Sequence, residues 1–523
     1  MKRPFFCIGL TALVTSFFLC ESESVYLTLG LCALFEGLFA VSIFLKHKQK
    51  TVFLPMIFFT AGTVCLYFLL FESLFILPQT KLVSDEVVNI KAVLTDYPEE
   101  NTDRYYCMAK ITDEESGRKY KIRLSFSKDF HYDENGEEKI SSMEPGDEIS
   151  FKGKIYKTGF FGDEMRDYFK SIGLVTGAYP TGELTVEKGE IKTLYYYLCR
   201  ERKRTVNMLL SSLDTETAGL GISVLFGDKS YISENSYENI RCSGASHLLA
   251  VSGLHLSLWI ITVMKIVESA GLDKRRWSLF LIFFNFLVMF FASFSGSVLR
   301  AGFMMLVYLL GFVTDKRADG LNSLGFSAVL ILLINPYNAR NVSFLLSFTA
   351  CLAILLEAVK ITDYFKANIT SKIHGIYKQK VINPALSTFV ISAFVSLHTF
   401  PVVSHYFGEA TLVSPLTNVL LIPVSFPLIL LFGLYVMFCF IPGVSHFLKF
   451  LCVCLSKYFF FITDIMGQSG AGRVELKIEN GLLMAFSVIL LFVPYVIFRC
   501  RKTKYGIYTL DIEKKTDIIN KDI

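Results

Sequence analysis

With 523 residues, of which 52% are hydrophobic, 15% aromatic and only 19% charged, the chain lies far outside ordinary soluble usage, which excludes a water-soluble globular protein. Its formal net charge is +5, and the charged residues gather in short loops and one long polar block. The expectation is an integral membrane protein of mainly α class, a polytopic helical chain with about 12 spans and one β domain outside the bilayer.

Crossing about 30 Å of hydrocarbon as helix takes roughly 18 or more largely apolar residues. In chain order such runs are Pro4 to Cys20, Val25 to Leu45, Val52 to Phe75, Ser246 to Ile266, Ser278 to Ser293, Leu299 to Val313 and Leu321 to Ile334. Val342 to Val359, Pro384 to Val403, Leu412 to Phe440, His446 to Met466 and Gly481 to Phe498 follow. The first run lacks a small-residue cleavage site before Glu21, so it reads as a retained helix rather than a signal peptide. Basic residues accumulate on cytoplasmic loops. Lys2 and Arg3, Lys46 to Lys50, Asp273 to Arg276, Asp315 to Arg317, Lys360 to Lys380 and Arg499 to Lys504 all fall on one side if the runs alternate. That places both termini in the cytoplasm and the polar block, Lys81 to Arg241, outside. Leu412 to Phe440 is too long for one crossing and holds Pro415, Pro423 and Pro427, so a broken or re-entrant helix is expected there.

Within the polar block, Val87 to Thr95, Arg104 to Thr112, Arg118 to Ser127, Asp147 to Lys157 and Gly173 to Glu187 alternate apolar and polar residues between turn clusters. Five short strands with one helix-like insert, Asp163 to Ser171, suit a small OB-like barrel inserted after the third span. From Leu82 to Glu190 there are about 15 basic and about 23 acidic residues, a balance that repels phosphates. Lys192 to Leu213 then reads as an amphipathic helix at the outer membrane surface, with Arg200, Arg202, Lys203 and Arg204 clustered for contact with a polyanion or with lipid headgroups. The resulting division is 1–80 for three N-terminal helices, 81–190 for the barrel, 191–245 for the surface helix and connecting segment, 246–499 for the main transmembrane domain and 500–523 for a charged cytoplasmic tail.

The span beginning at Ser246 carries His247, Ser252 and His255. On a continuous helix, His247, Val251 and His255 fall at about 0°, 40° and 80° with Ser252 at about 140°, so the polar groups share a face. Ser246 with Ala250 and Gly253 with Ser257 have the small-xxx-small spacing that lets another helix approach. Two imidazoles and a hydroxyl facing lipid cost several kcal/mol, so this face meets protein or water. Three readings stand open: histidines bonded to neighbouring backbone, a Ser252 nucleophile with His255 as base, and a wet transport path. The Gly-x-Ser-x-Gly elbow is absent, and no acidic orienter is near. Other candidate pathway residues are Arg300, a planar fork suited to phosphate, Asp319, Ser347 and Asn418. For Asp319 the alternative is a helix cap, and for Ser347 and Asn418 a helix-to-helix hydrogen bond.

No CxxC pair occurs among the twelve cysteines, and no metal or cofactor site is expected. Cys199 and Cys242 are a possible disulfide if the outer face is oxidising. No nucleotide-binding Gly-x-x-x-x-Gly-Lys loop is present, so any energy comes from a separate motor or the proton gradient.

In order, "HLLAVSGLHL" (His247 to Leu256), "SVLRA" (Ser297 to Ala301), "RADGLNSLGFSAVLILLINP" (Arg317 to Pro336), "FLLSFTA" (Phe344 to Ala350) and "SPLTNVLLIP" (Ser414 to Pro423) closely resemble the ComEC competence family. "LFGDKSYIS" (Leu225 to Ser233) and "GDEMRDYFKSIGLVTGAYPTG" (Gly162 to Gly182) are similar to further segments of it. The resemblance covers roughly residues 25 to 440. It implies a bacterial inner-membrane channel, residues 246–499, that imports single-stranded DNA during natural transformation. It also implies a separate DNA receptor, nuclease and cytoplasmic ATPase motor as partners. Many members carry a metallo-β-lactamase-like domain with a His-x-His-x-Asp-His motif, which this sequence does not contain, so no nuclease activity and no enzyme are expected. Where the family has Gly-Phe-Gln-Leu-Ser-Phe, this chain has Ser343 to Phe348 with Leu345 in place of the glutamine. The alternatives are a transporter or flippase of another anionic polymer or lipid, and an intramembrane hydrolase.

Overall fold

The structure is a computed structural model and describes residues 3–21, 25–46, 53–100, 103–113, 117–128, 140, 142–158, 163–189, 193–369, 378–468 and 472–477. Six helices within it are long and apolar enough to cross a bilayer: Val25–Ser42, Leu54–Lys81, Gly296–Thr314, Gln379–Phe407, Ser414–Phe438 and Pro442–Gln468. Pro4–Cys20, Thr215–Phe226, Gly320–Ile334 and Val342–Leu356 are shorter apolar helices. Two more, Gly253–Ser269 and Lys274–Phe291, correspond to the fourth and fifth expected spans. The expected last span and the charged tail lie outside the described residues. Phe18, Leu66, Phe283, Phe447, Phe450 and Phe461 all stand exposed on these helices, an outward apolar surface that hydrocarbon rather than water covers.

Close backbone approaches hold the bundle together. A Cβ on Gly9 would lie 2.2 Å from the Gly325 carbonyl oxygen, and one on Gly325 would lie 2.2 Å from the Phe5 carbonyl oxygen, so the helices Pro4–Glu21 and Gly320–Ile334 cross backbone to backbone. The helix Thr215–Phe226, inside the segment expected at the membrane surface, is almost wholly buried. Its Gly221 lies against the Phe432 ring, and its apolar residues share one core with Leu421, Leu428, Phe432 and Phe459.

Two expectations about helix continuity are overturned. Ser414–Phe438 is one unbroken helix: Pro415 sits in its first turn, where no donor is lost. Pro423 and Pro427 lie inside it, each freeing one carbonyl without ending it, as membrane helices tolerate. The run beginning at Ser246, expected to be continuous, is broken. Ser246–Leu249 forms a single turn, Ala250 and Ser252 are extended, and a new helix starts at Gly253.

The β domain is a closed barrel, as the alternation predicted. Its strands are β1 (Ser84–Leu94), β2 (Glu99–Glu100), β3 (Arg104–Thr112), β4 (Lys119–Ser127), β5 (Glu148–Lys157) and β6 (Thr176–Glu187). The order β1-β5-β6-β4-β3 closes through β1 pairing with β3, with β4 and β6 parallel. Inward positions such as Ile90, Ala92, Leu94, Ile122, Leu124, Phe126 and Phe151 fill the core. Each large apolar side chain buried there contributes about 1.5–3 kcal/mol.

A buried polar junction ties the barrel's helix Asp163–Ser171 to the turn Pro336–Arg340. Arg340 pairs with Asp167 at 3.5 Å, and its Nε donates to the Phe17 carbonyl at 3.4 Å. Asn335 Nδ2 donates to the Lys170 and Ser171 carbonyls at 2.7 and 3.0 Å, and Asn341 Nδ2 donates to Ser171 Oγ at 2.8 Å. Tyr337 joins Glu72 and Lys170 in the same network. Asn335 caps the carbonyl end of the barrel's helix and Asn341 holds its last serine, so these side chains fix how the barrel stands on the bundle.

Candidate functional site

The break before Gly253 is built by its own side chains. Ser252, extended at φ −119° and ψ 173°, caps the helix Gly253–Ser269. Its N–H donates to His255 Nδ1 at 3.2 Å, its Oγ lies 3.0 Å from the same nitrogen, and Oγ accepts from Leu254 N–H at 3.3 Å. Nδ1 is therefore an acceptor, which places the imidazole proton on Nε2. That Nε2 is buried and has no hydrogen-bond partner among the described residues. Ser252 and His255 thus form a helix cap, and among the described residues no carboxylate orients the imidazole. Ser252→Ala is expected to lower stability by about 1 kcal/mol, and pairing it with His255→Ala to cost less than the sum of the two single losses. Thermal unfolding of the three variants in detergent measures this.

Neighbouring helices converge on the break. Ser297 Oγ donates to the Val251 carbonyl at 3.1 Å, and Ser297 N–H donates to Ser343 Oγ at 3.3 Å. One turn on, Arg300 is 9% exposed; its Nε donates to Ser347 Oγ at 2.8 Å and NH1 to Met304 Sδ at 3.2 Å. No ion pair to Arg300 exists among the described residues. A Cβ on Gly253 would stand 2.8 Å from Arg300 NH2 and 2.9 Å from Ala301 Cβ. The missing side chain of Gly253 is the space the guanidinium occupies.

A second polar group lies on the other side of the break. The Gly244 carbonyl faces His247 Nδ1 at 3.1 Å and accepts from Ser414 Oγ at 3.3 Å. Asn418 Nδ2 reaches Ser392 Oγ at 2.5 Å and Ser414 Oγ at 3.4 Å, while Asn418 Oδ1 and Ser246 Oγ are buried without partners among the described residues. His247 is exposed, with its Nδ1 held against the Gly244 carbonyl.

The structure therefore brings Ser252, Gly253, His255, Arg300 and Ser347 together and groups His247 with Asn418. His247 and His255 do not share a helical face, because the break intervenes. Nor do Ser246 and Ala250 continue the small-residue stripe of Gly253 and the half-buried Ser257. Asp319 stands apart: it caps the helix Gly320–Ile334 by accepting from Asn322 N–H at 2.8 Å and pairs with Arg3 at 3.0 Å. Leu345, where the family pattern has glutamine, is buried in the apolar core with Phe344 and Phe348. Ser297, Ser343, Ser392 and Ser414 escaped the sequence reading; a lone serine in an apolar run has no local signature of its partner.

The basic cluster sits on the helix Leu194–Ser212, close to the expected bounds. Two of its four cations, Arg202 and Lys203, reach other elements, while Arg200 and Arg204 contact only their own helix and Arg204 is largely exposed. Arg202 donates to Ser293 Oγ at 2.7 Å, Lys203 Nζ stands 4.0 Å above the Tyr97 ring, Arg200 lies 5.4 Å from the Tyr197 ring and Arg204 is 3.8 Å from Glu201. Burial holds the Lys203 ammonium below its ordinary value, with Glu144 opposing, and pushes Tyr97 up to about 12. Ser293 and Phe294, at φ 57° and 48°, form a left-handed turn that Arg202 pins. The possible disulfide is not formed: Cys199 and Cys242 are free thiols in different surroundings, Cys199 beside Tyr195 and Cys242 facing Glu238 Oε1 at 3.4 Å.

Residues 224–499, more than half of the chain, match the model of the family described as Competence protein. The chain belongs to the Competence protein family. Over 432 residues it is 23% identical to ComE operon protein 3 of Bacillus subtilis (strain 168), covering 79% of this chain and 49% of that one. An uncharacterized protein of Aquifex aeolicus (strain VF5) is 28% identical over 232 residues, 42% of this chain and 47% of its own. The MG316 homolog of Mycoplasma pneumoniae, also uncharacterized, is 28% identical over 218 residues, 40% of this chain and 55% of its own. The chain thus spans about half the length of these curated relatives. No solved structure matches it. The family segment begins in Thr215–Phe226 and takes in the break, Arg300, Ser347 and Asn418, so both polar groups belong to the family's own domain.

Proposed function

We propose that this competence-family membrane protein is a channel that imports single-stranded DNA across the bacterial inner membrane during transformation. The observation that carries the reading is the interrupted helix at residues 250–252, with exposed His247 on the turn before it and a buried arginine that has no counter-charge among the described residues beside the helix that follows. Non-helical backbone at membrane depth persists only against protein or along a water-filled path. The unpartnered atoms of Ser246, His255 and Asn418 are groups that a hydrated path would satisfy. A strand with one charge per nucleotide needs such a path, because hydrocarbon cannot dissolve it.

In this reading the termini face the cytoplasm, the barrel stands outside, and a separate receptor, nuclease and ATPase motor supply capture, strand removal and energy. The barrel's acidic balance makes it a positioning element rather than a strand platform, and Arg202 and Lys203 secure it to the bundle. Lipid transport has one feature in its favour, an apolar groove of about 680 Å3 lined by Val14, Phe18, Leu27, Leu31 and Phe35. Thr15 is the single polar residue in that lining, so the groove has no place for a headgroup. Disrupting the gene in its host is expected to abolish transformation while DNA still accumulates at the cell surface. Unchanged transformation frequency would remove the proposal.

A further inference from the structure

We infer that Arg300 and the start of the helix Gly253–Ser269 form one anion-binding site that takes a phosphodiester group. The inference rests on the transport reading for its ligand, but the site itself stands on three observations. First, Gly253 opens a 17-residue helix, and the N–H of a first helical residue has no intrahelical acceptor. The helix dipole places partial positive charge at the same point. Second, the Arg300 side chain is nine-tenths buried and aimed there, its NH2 lying where a Gly253 Cβ would collide at 2.8 Å. Third, the neighbours of that guanidinium are neutral: Ser347 Oγ, Met304 Sδ and the Cys351 thiol. A guanidinium has five N–H donors, and a serine oxygen with two weak sulfur acceptors satisfies neither their number nor the charge. Removing a cation from water without a counter-charge is costly, and a membrane protein keeps such a group where an anion visits it.

The ligand class follows from shape. The guanidinium plane offers parallel N–H bonds to two oxygens of one tetrahedral oxyanion, a match that a halide lacks. A single arginine and a helix terminus hold a phosphodiester weakly, which suits a position each group must leave as the next arrives.

Three probes test the site on the full chain purified in detergent: a labelled short oligodeoxythymidylate, phosphatidylglycerol added to the micelle, and inorganic phosphate. Arg300→Gln is expected to weaken oligonucleotide binding about 10-fold and to reduce the slope of log affinity against log salt by about 0.7, the value for one phosphate contact on a single strand. Arg300→Lys, which keeps the charge but not the fork, is expected to fall between the two. Thermal unfolding checks that both variants remain folded, and phosphate at matched ionic strength is expected to raise the wild-type melting temperature more than that of Arg300→Gln. Equal responses of wild type and Arg300→Gln to all three probes overturn the site. If phosphatidylglycerol displaces the oligonucleotide from wild type alone, or if only phosphate gives an Arg300-dependent response, the site stands and the DNA reading falls.

Discussion

Arg340→Met is expected to destabilise the junction between barrel and bundle by about 3–5 kcal/mol, and Asp167→Asn by distinctly less. Both partners are buried, Asp167 at 3% and Arg340 at 8% exposure, so removing either leaves its mate in a medium that water does not screen. The mates differ in what remains. Without Asp167, Arg340 keeps its bond to the Phe17 carbonyl and its place 4.5 Å above the Phe17 ring. Without Arg340, Asp167 loses the largest influence that favours its charged form. Burial already pushes the Asp167 carboxyl above the usual carboxylate range, against the pull of Arg340, Arg166 and Lys170. An acid raised in the folded state binds more protons folded than unfolded, so its contribution to stability is present at low pH and is lost as pH rises from the ordinary value through the raised one. Arg340→Met moves that upper limit higher. Thermal unfolding across the acid-to-neutral range is therefore expected to show the largest Arg340→Met deficit at neutral pH and a smaller one in acid. Arg340→Met, Asp167→Asn exceeding Arg340→Met alone in stability at neutral pH is the companion result; a double variant weaker than both singles would mean that the pair is not what holds the junction.

The barrel was legible because its chemistry is local. Alternation through Ile90, Ala92 and Leu94 with polar residues between them sets the face each side chain takes, and turn clusters set the ends. The spans were legible because length and hydropathy decide insertion. Thr215–Phe226 was not, since twelve residues are too few for a crossing and nothing in them shows that they fill the bundle. The break at Ser252 was hidden for a different reason: its cap uses histidine three residues on instead of glutamate, so the sequence showed helical spacing where the side chains stop the helix. In Ser414–Phe438 the error ran the other way, because three prolines signal interruption although the surrounding helices keep the chain helical. The partners of the candidate residues were not legible at all. Arg300 and Ser347 are 47 positions apart, and Ser414 and Gly244 are 170 apart; such pairings are tertiary and leave no mark in either segment.

Gly253→Ala is expected to cut DNA uptake more than 10-fold in a chain that still inserts and folds. Position 253 is the first residue of its helix, where alanine is a better helix former than glycine, so the backbone gains rather than loses. The added methyl nevertheless stands 2.8 Å from Arg300 NH2 and 2.9 Å from Ala301 Cβ. The guanidinium is the end of a flexible chain and yields first, swinging away from the helix start; the Ala301 contact then parts the two helices by a few tenths of an ångström. Overpacking of this kind costs about 1–3 kcal/mol, so folding survives while the arginine leaves its position. Gly302→Ala is the matched control, since its Cβ would meet Met289 Sδ at 2.2 Å on the helix Gly296–Thr314 that carries Arg300, at a contact that does not involve Gly253. That variant is expected to lose comparable stability with uptake per folded molecule near wild type. Uptake of labelled single strands into vesicles, normalised to folded protein by unfolding assay, separates the two. Equal uptake by Gly253→Ala and Gly302→Ala would show that crowding at either helix contact has the same effect and that the placement of Arg300 against the broken helix is not what transport depends on.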